Sequence, residues 1–318
     1  MKYRRLGGSG LKVSEISLGG WLTFGSSLDE SGVREVVAAA VDSGINLIDL
    51  ADIYARGQAE LTFGKALADY RRQDLVITSK AFWPMSENPN DRGLSRKHLH
   101  ESVEGSLRRL GTDYLDIYFC HRFDADTPVE EVVMAMDDLV RQGKILYWGT
   151  SVWQSARIAE AVLRARALGA HQPRAEQPRY SMVDRHIETE ILPTAEEHGV
   201  GLVVWSPLAQ GVLTGKYSDG VPDGTRAAEI AWVRDNIADE DIEVARRIAP
   251  VAQDLGMRQS QLALAWCLRL PGIASAITGA RTPGQVTENA AASDLALDAD
   301  ALERLEELLG NKPEPIDS

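Results

Sequence analysis

Between Asn46 and Tyr54 the chain reads NLIDLADIY, which sets two carboxylates, Asp49 and Asp52, and a phenol, Tyr54, around and just behind a short apolar run. Lys80 closes the run VITSK and His121 closes IYFCH. Side chains of these types at the ends of strand-like runs suit the delivery of a proton to a carbonyl oxygen while hydride reaches its carbon. Tyrosine is a weak acid, with an ordinary pKa of about 10. An ammonium beside the phenol favours the phenolate and is expected to lower that value, and a carboxylate keeps the ammonium charged and oriented. A histidine within hydrogen-bonding reach polarises and positions the carbonyl. Taken singly, Asp49 reads as a turn or helix-cap residue, Lys80 as a solvated rim lysine, His121 as a satisfied structural histidine and Tyr54 as a packed aromatic. Their convergence on one rim is what favours chemistry.

Positioning them requires strands that end on the same side. Short β-rich runs begin at Glu15, Asn46, Leu75, Tyr114, Leu146, Ala175, Gly201 and Ser275. Amphipathic helical patterns such as Val33 to Val41 and Val129 to Arg141 lie between them, and that alternation is the signature of parallel βα units. Eight units without a clear linker favour one closed (β/α)8 barrel spanning residues 1–318 over a doubly wound sheet, which more often has five to seven strands. The opening KYRRLGGSGLKVS reads as a hairpin around Gly7 to Gly10 that would cap one barrel end. Two connections are long, AFWPMSENPNDRGLS after the third strand and AQGVLTGKYSDGVPDGTRAAEIAW after the seventh. Both follow strand C-terminal ends, the face where such barrels keep their chemistry.

Composition narrows the partners. With 34 Lys and Arg against 47 Asp and Glu, the net charge of -13 repels phosphate backbones and anionic membranes, so nucleic acid is not an expected ligand. Two cysteines, Cys120 and Cys267, both in apolar runs, supply neither a disulfide framework nor a metal-binding spacing. The start MKYRRLGGSGLKV has no apolar stretch, and no window approaches the roughly 18 apolar residues of a membrane span. A cytoplasmic chain with no membrane insertion is expected, with room for disorder only at the C-terminal tail.

With those residues in view, the sequence closely resembles the aldo-keto reductases, and among them the branch that holds the β subunits of voltage-gated potassium channels. The resemblance rests on DLADIYARGQAE, LVITSKAFW, RGLSRKHLHESVEGSLRRL, YWGTSVW, WSPLAQGVLTGKY and ITGARTPGQVTEN, in that order along nearly the whole chain. It implies that Asp49, Tyr54, Lys80 and His121 form the catalytic tetrad, with Tyr54 the general acid in reduction. Channel β subunits typically have asparagine at the histidine position, so His121 makes this chain resemble a working reductase more than a channel-type sensor.

The resemblance also implies NADPH held across the barrel mouth without a GxGxxG loop. Ser151 and Gln177 would hold the nicotinamide amide, Trp205 would lie by the ring, and Trp21 and Asp49 would border it. Ser206, Pro207, Leu208 and Gly211 would line the pyrophosphate, and Lys216, Tyr217 and Arg226 would strap the phosphates. Gly279 and Arg281 would stand near the adenosine phosphate, with Gln285, Glu288 and Asn289 reaching adenine and ribose. Pro283 suits a helix's first turn and Thr282 its cap, while backbone amides with a guanidinium suit a 2′-phosphate. Val152 stands where the channel subunits usually have arginine, which implies weaker cofactor retention. Trp21, Phe82 and Trp83, with Tyr54 and His121, would wall the substrate site. A homo-oligomer is also within the pattern of that branch.

Two motifs fall short. GVLTGKY is one residue too short for a phosphate-binding P-loop and has Tyr217 where Ser or Thr is needed, and His98 and His100 sit two apart in a helical pattern, so they point to different sides. Three functional readings follow from the residues together with the resemblance. They are an NADPH-dependent reductase of small carbonyl compounds, an NADP(H)-binding redox sensor that reports to a partner protein, and a lyase using Lys80 in a Schiff base.

Overall fold

The computed structural model describes residues 1–21 and 28–314; the end of the C-terminal tail, at 315–318, lies outside the described residues. An antiparallel pair, β1 (Tyr3–Arg5) and β2 (Lys12–Ser14), precedes eight parallel strands. These are β3 (Ile16–Gly19), β4 (Leu47–Asp49), β5 (Val76–Ala81), β6 (Leu115–Cys120), β7 (Ile145–Thr150), β8 (Ala175–Glu176), β9 (Gly201–Val204) and β10 (Ile273–Thr278). They pair in chain order, and β10 returns to β3 to close the barrel. A strand overlaps each of the eight β-rich runs, with β7 and β10 starting earlier than their runs, at Ile145 and Ile273, and the hairpin forms where the sequence places it.

The helices between strands follow from stripes of apolar residues. In Glu30–Asp42 the buried set is Val33, Val36, Val37 and Ala40, one face at the helical repeat, and the Asp29 carboxylate caps its start by accepting from the Gly32 N–H at 2.8 Å. Val129–Arg141 coincides with its sequence pattern and buries Val129, Val132, Val133 and Met136 against the barrel. Among the described residues no helix is long and apolar enough to cross a membrane.

The shortest strand covers the least of its run. AEQPRYS contributes only Ala175 and Glu176 to β8, because Pro178 has no N–H to continue a ladder. Beyond it, a single parallel bridge joins Arg179 to Trp205. The long segment after β9 is not one open loop either, since it contains a 3-10 turn (Ala209–Thr214) and short helices Arg226–Glu229 and Ala231–Asp235.

Side chains alternate along a strand, so every second residue enters the barrel interior. Leu47, Val76, Ile117, Phe119, Ala175 and Val203 form one buried apolar cluster, and Leu6 and Val13 of the hairpin join it. The hairpin therefore closes the barrel's N-terminal end. Advancing two residues from that layer reaches Asp49 on β4, Thr78 and then Lys80 on β5, His121 after β6, Gln177 after β8 and Trp205 after β9. The polar rim is the continuation of the apolar core on the same parity.

The hairpin seal is tight at one point. A Cβ on Gly201 would lie 2.4 Å from the Gly7 backbone nitrogen, and one on Gly7 would lie 2.5 Å from the Gly199 carbonyl oxygen. Gly201→Ala is expected to destabilise by about 1–3 kcal/mol in urea unfolding, the usual range for overpacking against atoms that cannot move aside. Gly10→Ala, where an added Cβ meets nothing within 4 Å, should stay within about 0.5 kcal/mol.

Candidate active site

Lys80 is fully buried, and its ammonium spends its three hydrogens on Asp49 Oδ2 at 2.7 Å, the Leu50 carbonyl at 2.7 Å and the Tyr54 hydroxyl at 3.1 Å. Asp49 is fixed in turn, its Oδ1 accepting from Thr78 Oγ1 at 2.8 Å and from Gln177 Nε2 at 2.8 Å. Donors on β5 and just beyond β8 thus hold the one carboxylate that β4 delivers. Burial alone would pull the Lys80 pKa down, but the attraction and hydrogen bonds of Asp49 and Tyr54 carry it above its ordinary value, so the ammonium is charged.

The expectation of a net acidified phenol is corrected here. Burial pushes the Tyr54 pKa up, Lys80 pulls it back, and the Asp49 charge pushes it up again, leaving the phenol above its ordinary value. The largest cause is burial, and Asp49, sitting against the same ammonium, offsets part of the pull that Lys80 exerts. Lys80 limits the rise; it does not reverse it. Tyr54 is therefore protonated, with a hydrogen to donate.

His121 lies edge-on to Tyr54, with ring centroids 5.9 Å apart. Burial first, then the positive charges of Lys80 and Arg122, holds its pKa well below the ordinary value, so the ring is neutral. Its Nδ1 is buried without a hydrogen-bond partner among the described residues. After Tyr54, Ala55 and Arg56 adopt left-handed φ values of 47° and 52°, turning the chain sharply into helix Gln58–Leu67.

Glu176 builds the neighbouring turn. This fully buried carboxylate accepts from Thr150 Oγ1 at 2.5 Å, from the Trp153 N–H at 3.3 Å and from the Val152 N–H. Val152 is thereby held at a left-handed φ of 57°, a conformation that costs a β-branched residue energy. The turn presents Ser151, whose hydroxyl donates to the Gln177 carbonyl at 3.0 Å.

These groups open onto a cleft of about 660 Å³ at the C-terminal ends of the strands. Around its wall stand Trp21, Asp49, Tyr54, Trp83 and His121, then Ser151, Gln177, Trp205, Ser206, Pro207, Leu208 and Gly211. Lys216, Arg226, Gly279, Arg281, Gln285, Glu288 and Asn289 complete the far side. Three residues with assigned places stand off the wall. Lys80 lies behind Asp49 and Tyr54. Phe82 packs edge-on beneath Trp83 with centroids 5.1 Å apart, because its partly buried ring belongs to the core cluster. Tyr217 is buried, with its hydroxyl unpartnered among the described residues and the Lys216 ammonium 4.9 Å over its ring.

The far side is a cluster of cations in an acidic protein. Burial, then Arg226 and Arg281, drives the Lys216 pKa down to about 8, and burial and Arg281 lower that of Arg226. Glycines make room for them. A Cβ on Gly211 would meet Lys216 Nζ at 2.6 Å, and one on Gly279 would meet Arg226 Nη2 at 2.3 Å. Arg281 donates to the Gly224 carbonyl at 2.6 Å and pairs with Glu229, tying the segment after β9 to the one after β10. Thr282 caps helix Pro283–Ala291 with Pro283 in its first turn, as the sequence indicates. Like charges gathered in a cleft, beside a helix start, suit a ligand with several anionic groups.

Sequence reasoning missed several wall and support residues. Arg122, Thr214, Thr225 and Ser260 line the cleft. Trp232, on the segment after β9, lies tilted by 34° against Trp21 with ring centroids 5.5 Å apart, and Trp21 meets Trp205 edge-on at 6.4 Å. Arg122 and Glu176 carried a readable signal, each being a charged residue next to a rim residue at a strand end.

Comparison with known proteins follows the same lines. The family model described as Aldo/keto reductase family matches residues 15–309. Over 327 aligned residues the chain is 42% identical to a protein of Oryza sativa subsp. japonica named "Probable voltage-gated potassium channel subunit beta", covering 100% of this chain and 99% of that one. It is 44% identical over 329 residues to a protein of the same name from Arabidopsis thaliana, with the same coverage.

Burial raises the Glu176 pKa from 4.5 to about 7, so the folded state holds a proton there that the unfolded chain releases. Stability from this group is full below pH 4.5 and declines as pH rises to about 7, by roughly 3 kcal/mol. Glu176→Gln should lose less unfolding free energy between pH 5 and pH 8 than the parent. Urea unfolding at the two pH values checks this.

Proposed function

Because this chain belongs to the Aldo/keto reductase family, we propose that it is an NADPH-dependent oxidoreductase that reduces aldehydes or ketones to alcohols. The observation that carries the reading is the buried Lys80 ammonium, paired with Asp49, donating to the hydroxyl of Tyr54 at the floor of the cleft. NADPH would supply the hydride. The residues that suit it are the cations Lys216, Arg226 and Arg281 for its phosphates, with Gly211 and Gly279 leaving the space those cations occupy. Ser151 and Gln177 would hold the carboxamide, and Trp205 and Trp21 would flank the ring. Gln285, Glu288 and Asn289 would reach the adenosine end.

In this reading Tyr54 donates its proton to the carbonyl oxygen as the carbon is reduced, and Lys80 stabilises the phenolate left behind. A phenol with a raised pKa holds its proton until an oxyanion forms. The neutral imidazole of His121 orients the carbonyl without competing as an acid. Trp21 and Trp83 would flank the substrate, and Asp49 keeps Lys80 charged through the cycle.

A second reading draws on the names of the two relatives, both probable potassium channel β subunits. On that reading the chain keeps NADP(H) bound and reports its oxidation state to a partner. Turnover separates the two. Tyr54→Phe should bind NADPH within about threefold of the parent by fluorescence titration, yet lose about 100-fold or more in kcat with simple aldehydes. Unchanged kcat would remove Tyr54 from the chemistry, and a parent that oxidises NADPH slowly with every aldehyde would favour the sensor.

A further inference from the structure

One charged wall residue has no task in the proposed reaction. Arg122 follows β6 directly, is half-buried, and lines the cleft beside Tyr54, Trp83 and His121. Its Nη1 donates to the His121 carbonyl at 2.5 Å, and its guanidinium lies 5.6 Å from the centre of the Trp83 ring. Among the described residues no carboxylate lies within 4.0 Å of it, unlike Arg281, which pairs with Glu229, or Arg179, which pairs with Asp184. Glu176 is near enough to be felt electrostatically, but its oxygens face Thr150 and the turn at Trp153.

Barrel order places this cation apart from the phosphate cluster. Passing from β10 through β3, β4 and β5 to β6 takes four steps of an eight-strand ring, so Arg122 stands across the mouth from Arg281, which follows β10. Lys216 and Arg226 follow β9, next to β10. The cleft therefore carries positive charge at both ends, with Tyr54 and His121 beside the Arg122 end. A ligand whose phosphates occupy one end leaves Arg122 facing what binds next to the phenol.

We propose that Arg122 is a specificity-determining anchor and that the substrates are carbonyl compounds bearing a carboxylate, such as aryl or short-chain aldehyde acids. This deepens, and rests on, the reductase reading above. A guanidinium with one N–H fixed to backbone is oriented, and its remaining donors match the two oxygens of a carboxylate. Trp83 beside it supplies an apolar face for the carbon body. The anion also offsets the cost of a half-buried, unpaired cation.

The test compares 4-carboxybenzaldehyde with its neutral methyl ester, methyl 4-formylbenzoate, in the full-length protein and in Arg122→Met. The parent should favour the carboxylate, and the carboxylate-to-ester ratio of kcat/KM should fall about tenfold or more in Arg122→Met, the usual loss for a hydrogen bond to a charged group. A parent ratio at or below one, or a ratio unchanged by the substitution, overturns the anchor while leaving the reductase reading intact. A parent that reduces other aldehydes but neither of these also overturns the anchor; if it reduces no aldehyde, the reductase reading fails, and calorimetry decides the anchor with terephthalate in the presence of NADP+. Binding weakened about tenfold or more by Arg122→Met then supports it, and equal binding overturns it.

Discussion

An ammonium with no exposed surface, enclosed by one carboxylate, one carbonyl and one phenol, governs the upper half of this barrel. A buried charge is tolerated only when paired and fully hydrogen-bonded, and removing either partner of such a pair typically costs about 3–5 kcal/mol. Lys80 on β5 therefore dictates that β4 deliver Asp49 and that the chain after β4 turn Tyr54 back over it. Thr78 and Gln177 then complete the Asp49 oxygens. The same bonds that satisfy the charge set the position of the phenol, so the stability of the rim and its chemistry share one set of contacts.

Electrostatics is divided by the closed sheet. Lys80 is neutralised by Asp49, so its field reaches Tyr54 attenuated. Lys216, Arg226 and Arg281 gather at the β9 and β10 side of the cleft, and among the described wall residues Arg122 is the one cation on the β6 side. The chain as a whole carries a charge of -13, so these cations give the cleft a sign opposite to that of the molecule. Glu176 shows a different use of burial. Its carboxylate supports a left-handed valine and so shapes the turn that presents Ser151.

Much of this was legible in the sequence because the barrel repeats with period two along strands and because each rim residue ends an apolar run. VITSK and IYFCH announce Lys80 and His121 as continuations of core strands, and Leu47 to Asp49 is the same step on β4. The resemblance to aldo-keto reductases supplied the wall residues on the phosphate side, which no local pattern marks. Other features escaped. The net direction of the Tyr54 pKa depends on how desolvation and two opposed charges balance, and adjacency in sequence does not weigh them. Phe82 and Trp83 are neighbours of like type, yet only Trp83 reaches the cleft, since both lie past the end of β5, where strand alternation no longer decides which side chain faces inward. Trp232 arrives from a long connection whose return over the mouth is fixed by the Arg281–Glu229 pair, a contact between segments 52 residues apart.

The claim that Lys80 holds down a phenol that burial and Asp49 push up is tested most directly by following the ¹³Cζ resonance of Tyr54 through a pH titration. Protein labelled at that carbon of tyrosine serves, with Tyr54→Phe assigning the signal. Tyr54 is expected to titrate above the ordinary value of about 10 in the parent, and higher still, or not at all within the accessible range, in Lys80→Met. A Tyr54 that titrates below 10 in the parent, or at the same pH with and without Lys80, would contradict the account.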